Sequence, residues 1–170
     1  MTKFRIGDVI VQSIWEMDDP SFAMRSFFPA STDEAVAAEI DWLAPRFYDP
    51  VTGRLTLSIH AWLIDTGRSR ILVDTCVGND KERASRPQWN RLATPFLERL
   101  AAAGVAPESI DYVLCTHLHA DHVGWNTRLV DGRWVPTFPR AKYVFGRTEY
   151  DYWDKAFREA APGGHHLAAY

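Results

Sequence analysis

Four metal-binding side chains fall within six residues of this chain, and they come directly after an apolar stretch. The segment is Thr116-His117-Leu118-His119-Ala120-Asp121-His122, which spells H-x-H-x-D-H. Before it runs Tyr112-Val113-Leu114-Cys115, and the whole nearly continuous apolar run from Ile110 to Thr116 suits a short strand buried on both faces. A buried strand that ends in ionisable groups needs covering layers behind it and an open edge in front. That is the α/β arrangement, with its sites in loops at the carboxyl ends of strands.

His117 and His119 alternate, so an extended backbone projects both side chains to the same side. Asp121 and His122 follow where the chain can turn, and so could face a second ion beside the first. Imidazole nitrogen with a carboxylate oxygen suits zinc, and also iron or manganese. Half of the chain's six histidines sit in this motif, too dense a cluster for a polar turn. Rival motifs fit worse. There is no H-E-x-x-H, and no glutamate closer downstream than Glu149 to complete a cupin-like H-x-H. A 2-His-1-carboxylate iron site would leave one of the four residues unexplained. Gly67-Arg68-Ser69-Arg70-Ile71 fails the G-x-S-x-G pattern at its last position, so a serine hydrolase has no support.

The motif after its apolar strand resembles the signature of the metallo-β-lactamase-fold hydrolases. Leu57 to Asp65, a turn at Thr66-Gly67, and Arg70-Ile71-Leu72-Val73-Asp74-Thr75 agree with that pattern upstream. The run Val73 to Asp80 and the long N-terminal extension most resemble the lactonase and organophosphate-hydrolase branch. The match is good over roughly residues 55 to 150 and loose over the first 50. It implies an α/β fold of αββα sandwich type, of which this chain supplies mainly the first half. It also implies that His117 and His119 bind one metal and that Asp121 and His122 bind a second. Zinc is the expected ion, two per complete site, with Mn2+ or Fe2+ as alternatives. Asp121 would also be the catalytic residue, orienting the nucleophile and moving a proton. Asp74 would hydrogen-bond a ligand histidine from behind. The implied reaction is attack by a metal-bound hydroxide on a small ester, lactone or related bond.

The departure from that family matters as much as the match. Members complete the site with a third histidine, a bridging aspartate and a late histidine after the motif. Only His165 and His166 follow here, in Pro162-Gly163-Gly164-His165-His166. No apolar strand leads into them, so they read as non-ligands. The chain is therefore expected to be a single, C-terminally incomplete domain over residues 1–170. A non-catalytic, incomplete metal-binding fragment is the alternative to an active metallo-hydrolase, and a homodimer is one way for a second subunit to supply what is missing.

Composition narrows the partners. A net charge of −3 offers no basic excess to neutralise phosphates, so a small-molecule substrate is expected and nucleic acid is not. The richest basic stretch, Lys81 to Arg91, reads as a solvated loop, or more weakly as a rim that contacts an acidic substrate. No apolar run approaches membrane-spanning length and the N-terminus has no apolar signal core, so a cytoplasmic protein is expected. Cys76 and Cys115 fit that compartment as free thiols, neither of them a ligand or nucleophile. Trp125 packs its own helix in this reading, although with Asn126 it could line the pocket mouth, and His60 is a satisfied strand histidine.

Periodicity places the remaining elements. A strand pair breaks at Gly7-Asp8, and Leu55–Asp65 with Arg70–Asp74 form a hairpin. Ser31-Thr32-Asp33-Glu34 opens a helix with a capping box, running towards Leu43. Leu92, Phe96, Leu97 and Leu100 recur at helical spacing up to Gly104. Trp134–Phe138 and Lys142–Phe145 are expected strands, and Arg147–Ala160 an aromatic-rich helix.

Overall fold

Two antiparallel strands open the chain. β1 (Lys3–Ile6) and β2 (Val9–Ala23) turn at Gly7-Asp8 and pair with Ile6 opposite Val9. Three short helices, α1 (Met24–Phe27), α2 (Asp33–Ala38) and α3 (Ile40–Leu43), lead to β3 (Tyr48–Asp49), β4 (Arg54–Asp65) and β5 (Arg70–Val73). Then come α4 (Phe96–Ala102), β6 (Tyr112–Leu114) and α5 (Ala120–Val123). Strands β7 (Thr127–Val130), β8 (Arg133–Pro136) and β9 (Lys142–Val144) precede α6 (Arg147–Glu159). The computed structural model describes residues 2–159, so the readings of His165 and His166, and of Ala160 as a helix end, lie outside the described residues.

The chain divides into two units. One combines the residues up to Glu16 with those from His60 onward, and the other is Met17–Ile59. The strand order is β1-β2-β4-β5-β6-β9. β4 and β5 form the expected hairpin, Leu63 opposite Leu72, while β6 joins β5 in parallel and β9 joins β6 in parallel. The first unit's core is apolar and closed: Ile14, Leu72, Phe96, Leu100, Ile110, Val113 and Phe138 all have no exposed surface. Strand β6 departs from the expectation of two buried faces. Val113 is fully buried, but Tyr112 and Leu114 on the other face are only partly covered. Helix α4 is likewise shorter than its periodicity, since Leu92 stands outside it, and Gly104 closes it at a φ of 79°.

In the second unit β3 pairs with the start of β4, Tyr48 opposite Leu55. The Met24 N–H donates to the Gly53 carbonyl at 3.0 Å. The capping box expected from Ser31 and Glu34 does not form, because the Ser31 hydroxyl donates to the Phe28 carbonyl at 2.8 Å. The cap falls one residue later, where Thr32 Oγ1 accepts the Ala35 N–H at 3.1 Å. The helix then breaks at Glu39 instead of running on to Leu43.

Candidate metal centre

The strand ladder stops just short of the motif, and side chains take over its hydrogen bonding. Cys115 N–H still donates to Val144 O at 2.9 Å, continuing the β6–β9 pairing. One residue later Thr116 N–H has no strand carbonyl and donates to Asp74 Oδ1 at 2.8 Å. Leu118 N–H donates to Glu149 Oε2 at 3.0 Å. His119 then acts as the N-cap residue of α5, which carries Asp121 and His122. An extended segment followed by one helical turn thus delivers all four side chains to one end of β6.

They arrive as two pairs. His117 Nε2 lies 3.1 Å from His119 Nδ1, and His122 Nε2 lies 3.4 Å from Asp121 Oδ2. Two ligands of one tetrahedral zinc, each about 2.0–2.2 Å from the ion, stand about 3.3–3.6 Å apart. Each pair therefore has the spacing of two ligands on a shared ion. The His117 and His122 rings are only 3.9 Å apart between centroids, which sets the pairs side by side. Among the described residues no group of three or more His, Cys, Asp or Glu side chains forms a ready metal cage. The donors fit a metal two at a time, and each pair leaves positions for water, substrate and further ligands.

Asp74 ties the second pair to the sheet. It sits at the end of β5 with a positive φ of 58°, which turns its side chain back towards β6. Its Oδ2 is 2.8 Å from His122 Nδ1, and both its oxygens accept from Thr116 Oγ1, at 3.1 and 2.8 Å. Burial opposes the charge on Asp74, but the bonds from His122 and Thr116 outweigh it and hold its pKa below the usual carboxylate value. Asp121 is likewise lowered, with the His122 hydrogen bond overcoming partial burial. Partial burial also works against a cationic His122, yet Asp121 and Asp74 push its pKa up to about 9. A cation is therefore welcome at this pair. Partial burial and the neighbouring rings of His122 and His119 lower the His117 pKa, which keeps a neutral imidazole available at pH 7.

The loop after β5 is laced onto the motif turn by backbone bonds. Thr75 N–H donates to His122 O at 2.8 Å, while Gly124 N–H and Trp125 N–H donate to Cys76 O and Thr75 O, both at 2.7 Å. The two backbones nearly touch: a Cβ on Gly124 would lie 1.9 Å from the Val77 carbonyl carbon and oxygen. Glu16, 2 % exposed, closes the seam from β2. Its carboxylate accepts from Val77 N–H (2.7 Å), Gly78 N–H (3.1 Å), Thr94 Oγ1 (3.1 Å) and Trp125 Nε1 (2.6 Å).

The structure also places the other side chains that the sequence singled out. Trp125 has the expected packing role: it is buried, stacks on Phe96 of α4 and donates to Glu16 of β2, and does not line the pocket mouth. Asn126 is turned to Thr75, accepting its hydroxyl at 3.0 Å. The Lys81–Arg91 segment is not simply a solvated loop. Lys81 Nζ lies 3.8 Å from the Trp134 ring centroid and donates to Thr127, and Arg83, 5 % exposed, donates to Ala120 O at 3.4 Å from behind the motif. Cys76 and Cys115 are free and buried, and burial raises both thiol pKa values, which suits inert core residues. Sequence reasoning missed Glu16 and Glu149. Neither gave a local signal: Glu16 is one of three acids in β2, with Asp18 and Asp19, and Glu149 lies in a helix with no buried residue among those described.

The model of the metallo-beta-lactamase superfamily matches residues 55–168. The lactamase-like protein aptB of Emericella nidulans is 42% identical over 65 residues, which is 38% of this chain and 17% of that protein. Ribonuclease Z of Mycobacterium sp. (strain KMS) is 48% identical over 40 residues, 24% of this chain and 14% of the other. Among solved structures, hydrolase AbOPH in the beta lactamase superfamily superposes with a TM-score of 0.67 at 26% identity, over 96% of this chain and 51% of that one. AidC, a dizinc quorum-quenching lactonase, gives a TM-score of 0.62 at 21% identity, over 89% of this chain and 46% of its own. The chain thus spans about half the length of these solved structures and under a fifth of the curated relatives.

Proposed function

This chain belongs to the metallo-beta-lactamase superfamily, and from that premise we propose that it carries the motif-bearing part of a metal-dependent hydrolase site for a small ester, lactone or related bond. The observation behind this reading is the pair of donor pairs, His117 with His119 and Asp121 with His122, each at ligand spacing and side by side. A divalent ion on each pair, zinc first and manganese or iron(II) as alternatives, supplies Lewis acidity and acidifies a water.

The chain's own residues do the rest. His117 and His119 would hold one ion, and Asp121 and His122 the other, with His122 binding as a neutral imidazole. Asp74 fixes the His122 tautomer by taking its Nδ1–H. Asp121, whose carboxyl is held below the usual carboxylate range, would orient the nucleophile and exchange a proton with it. A carbonyl or phosphoryl centre suits this arrangement, since both need a nucleophile and stabilisation of the charge that develops on oxygen. The dizinc lactonase among the fold neighbours supports zinc and lactones. The net charge of −3 favours small molecules over the nucleic acid that the ribonuclease Z similarity brings to mind. Two buried free thiols support a cytoplasmic setting.

One observation favours a second reading, a non-catalytic metal-binding fragment: the described residues bring no third donor to either ion. Metal content of the gel-filtered chain, with hydrolysis of a panel of esters, lactones and phosphotriesters by zinc- or manganese-loaded protein, separates the two. Close to two ions per chain with turnover is the expected result. Retained metal without turnover would favour the fragment reading. Wild-type metal content in His117→Ala and His119→Ala would overturn both.

A further inference from the structure

The first donor pair depends on a backbone N–H that no strand holds. Strand β6 ends at Leu114, and the two N–H groups that alternate beyond Cys115 are taken by carboxylates from elsewhere. Thr116 N–H goes to Asp74 at the end of β5, and Leu118 N–H goes to Glu149 Oε2 in the first turn of α6. Leu118 stands between His117 and His119, so its orientation decides whether both imidazoles project to one side. The same Glu149 oxygen accepts Trp153 Nε1–H at 3.2 Å, one helical turn on. The Trp153 ring meets His119 edge-on, 5.8 Å between centroids at 80°. One carboxylate oxygen thus joins the backbone between the two histidines to the aromatic ring that limits how one of them turns.

We propose that Glu149 is the positioning residue of the first donor pair, holding Leu118 and Trp153 so that His117 Nε2 and His119 Nδ1 face a single ion. This rests on the metal reading of the motif. It gives each pair an outer carboxylate: Asp74 for His122 and Glu149 for the tandem histidines. Glu149 acts through a backbone amide and an indole and does not itself bind the ion. The hydrogen bonds from Leu118 and Trp153 hold its carboxyl below the usual glutamate range.

Two readouts test this on the full chain. Amide hydrogen exchange of the metal-free protein reports the Leu118 N–H directly. Glu149→Met, of similar length but without an acceptor, speeds exchange at Leu118 about tenfold or more, leaves Thr116 protected by Asp74, and Glu149→Gln restores Leu118. Zinc competition against a chromophoric chelator reports the consequence. Loss of an outer-shell partner weakens metal affinity by about 10–100-fold, so Glu149→Met falls in that range while Glu149→Gln recovers most of the affinity. Should Glu149→Met fail to fold, Trp153→Phe serves instead: it keeps the ring, removes one donor to Glu149 and leaves Leu118 protection unchanged. Unchanged Leu118 exchange in Glu149→Met, or loss of that protection in Trp153→Phe, would overturn the proposal. Wild-type zinc affinity in Glu149→Met beside a weakened His119→Ala would overturn it while leaving the functional reading in place. Absence of zinc binding in the wild-type chain would remove both.

Discussion

The two donor pairs share six residues of sequence but are held in opposite ways. Asp121 and His122 rest on interlocked backbone: Thr75 and His122, Cys76 and Gly124, and Thr75 and Trp125 are hydrogen-bonded across the seam, with Glu16 buried behind them. His117 and His119 lean on two side chains of α6, Glu149 and Trp153, and that helix has no buried residue among those described. His119 is itself exposed. The second pair is therefore fixed by the act of folding the first unit, because displacing it would break buried hydrogen bonds. The first pair can be displaced at little cost to stability. A site built this way keeps one half rigid and leaves the other free to adjust to a ligand or to a third donor.

The seam is where the comparison breaks most sharply. Gly124 has an ordinary helical φ of −58°, so alanine there meets no backbone strain and the effect is purely steric. Its Cβ would sit 1.9 Å from the Val77 carbonyl, with backbone on both sides and no flexible side chain to yield. Gly124→Ala is expected to cost about 3 kcal/mol or more, the upper end of overpacking, read by urea unfolding. Gly104→Ala is the matched control, with open space around its Cβ but a φ of 79°, and should cost only about 1 kcal/mol. Equal losses in the two would mean that the loops separate easily and that the seam does not set the second pair.

Asp74→Asn should act next in size, and on the second pair alone. Asparagine keeps the loop conformation, since it tolerates positive φ, but it lacks the charge and one of the two acceptor oxygens. His122 is then free to turn its Nδ1 away, and affinity for the second ion should fall about 10–100-fold. Occupancy of the first pair, followed by stepwise cobalt titration, should stay within about twofold. A uniform fall in both would show that the pairs are coupled through Thr116 and the touching rings.

Much of this was legible from the amino acids, for a physical reason. A six-residue motif reports itself because its ligands are local in sequence, and Val113 and its neighbours report β6 by burying apolar side chains. Hairpin β4–β5 was equally plain. What stayed hidden is non-local. Glu16 and Glu149 reach the motif from 109 and 31 residues away respectively, to Trp125 and Leu118, and neither spacing leaves a pattern. Arg83 looked like one more surface cation because charge alone does not say which way a loop folds. Strand β7 was missed although Asp131-Gly132 announces it. Both residues take positive φ, 49° and 75°, in the two-residue turn that closes Val130 against Arg133.

Glu16→Gln sharpens the comparison with the smallest effect and a definite sign in pH. Burial raises the Glu16 pKa above its ordinary 4.5, against the hydrogen bonds from Val77, Trp125, Gly78 and Thr94 that lower it. An acid whose folded pKa is raised binds more protons folded than unfolded. Its favourable contribution is full below pH 4.5 and is lost as the pH rises through the folded value. Glutamine replaces one acceptor oxygen with a donor facing donors, which costs about 1–3 kcal/mol, but it also removes the buried charge. The deficit of Glu16→Gln relative to wild type should thus be largest near pH 4 and shrink as the pH rises to about 7.5. Denaturant midpoints of the two proteins, taken as a difference across that range, measure it. A deficit that grows with pH would mean that the four donors outweigh burial, and that the rigid pair rests on a stable buried charge.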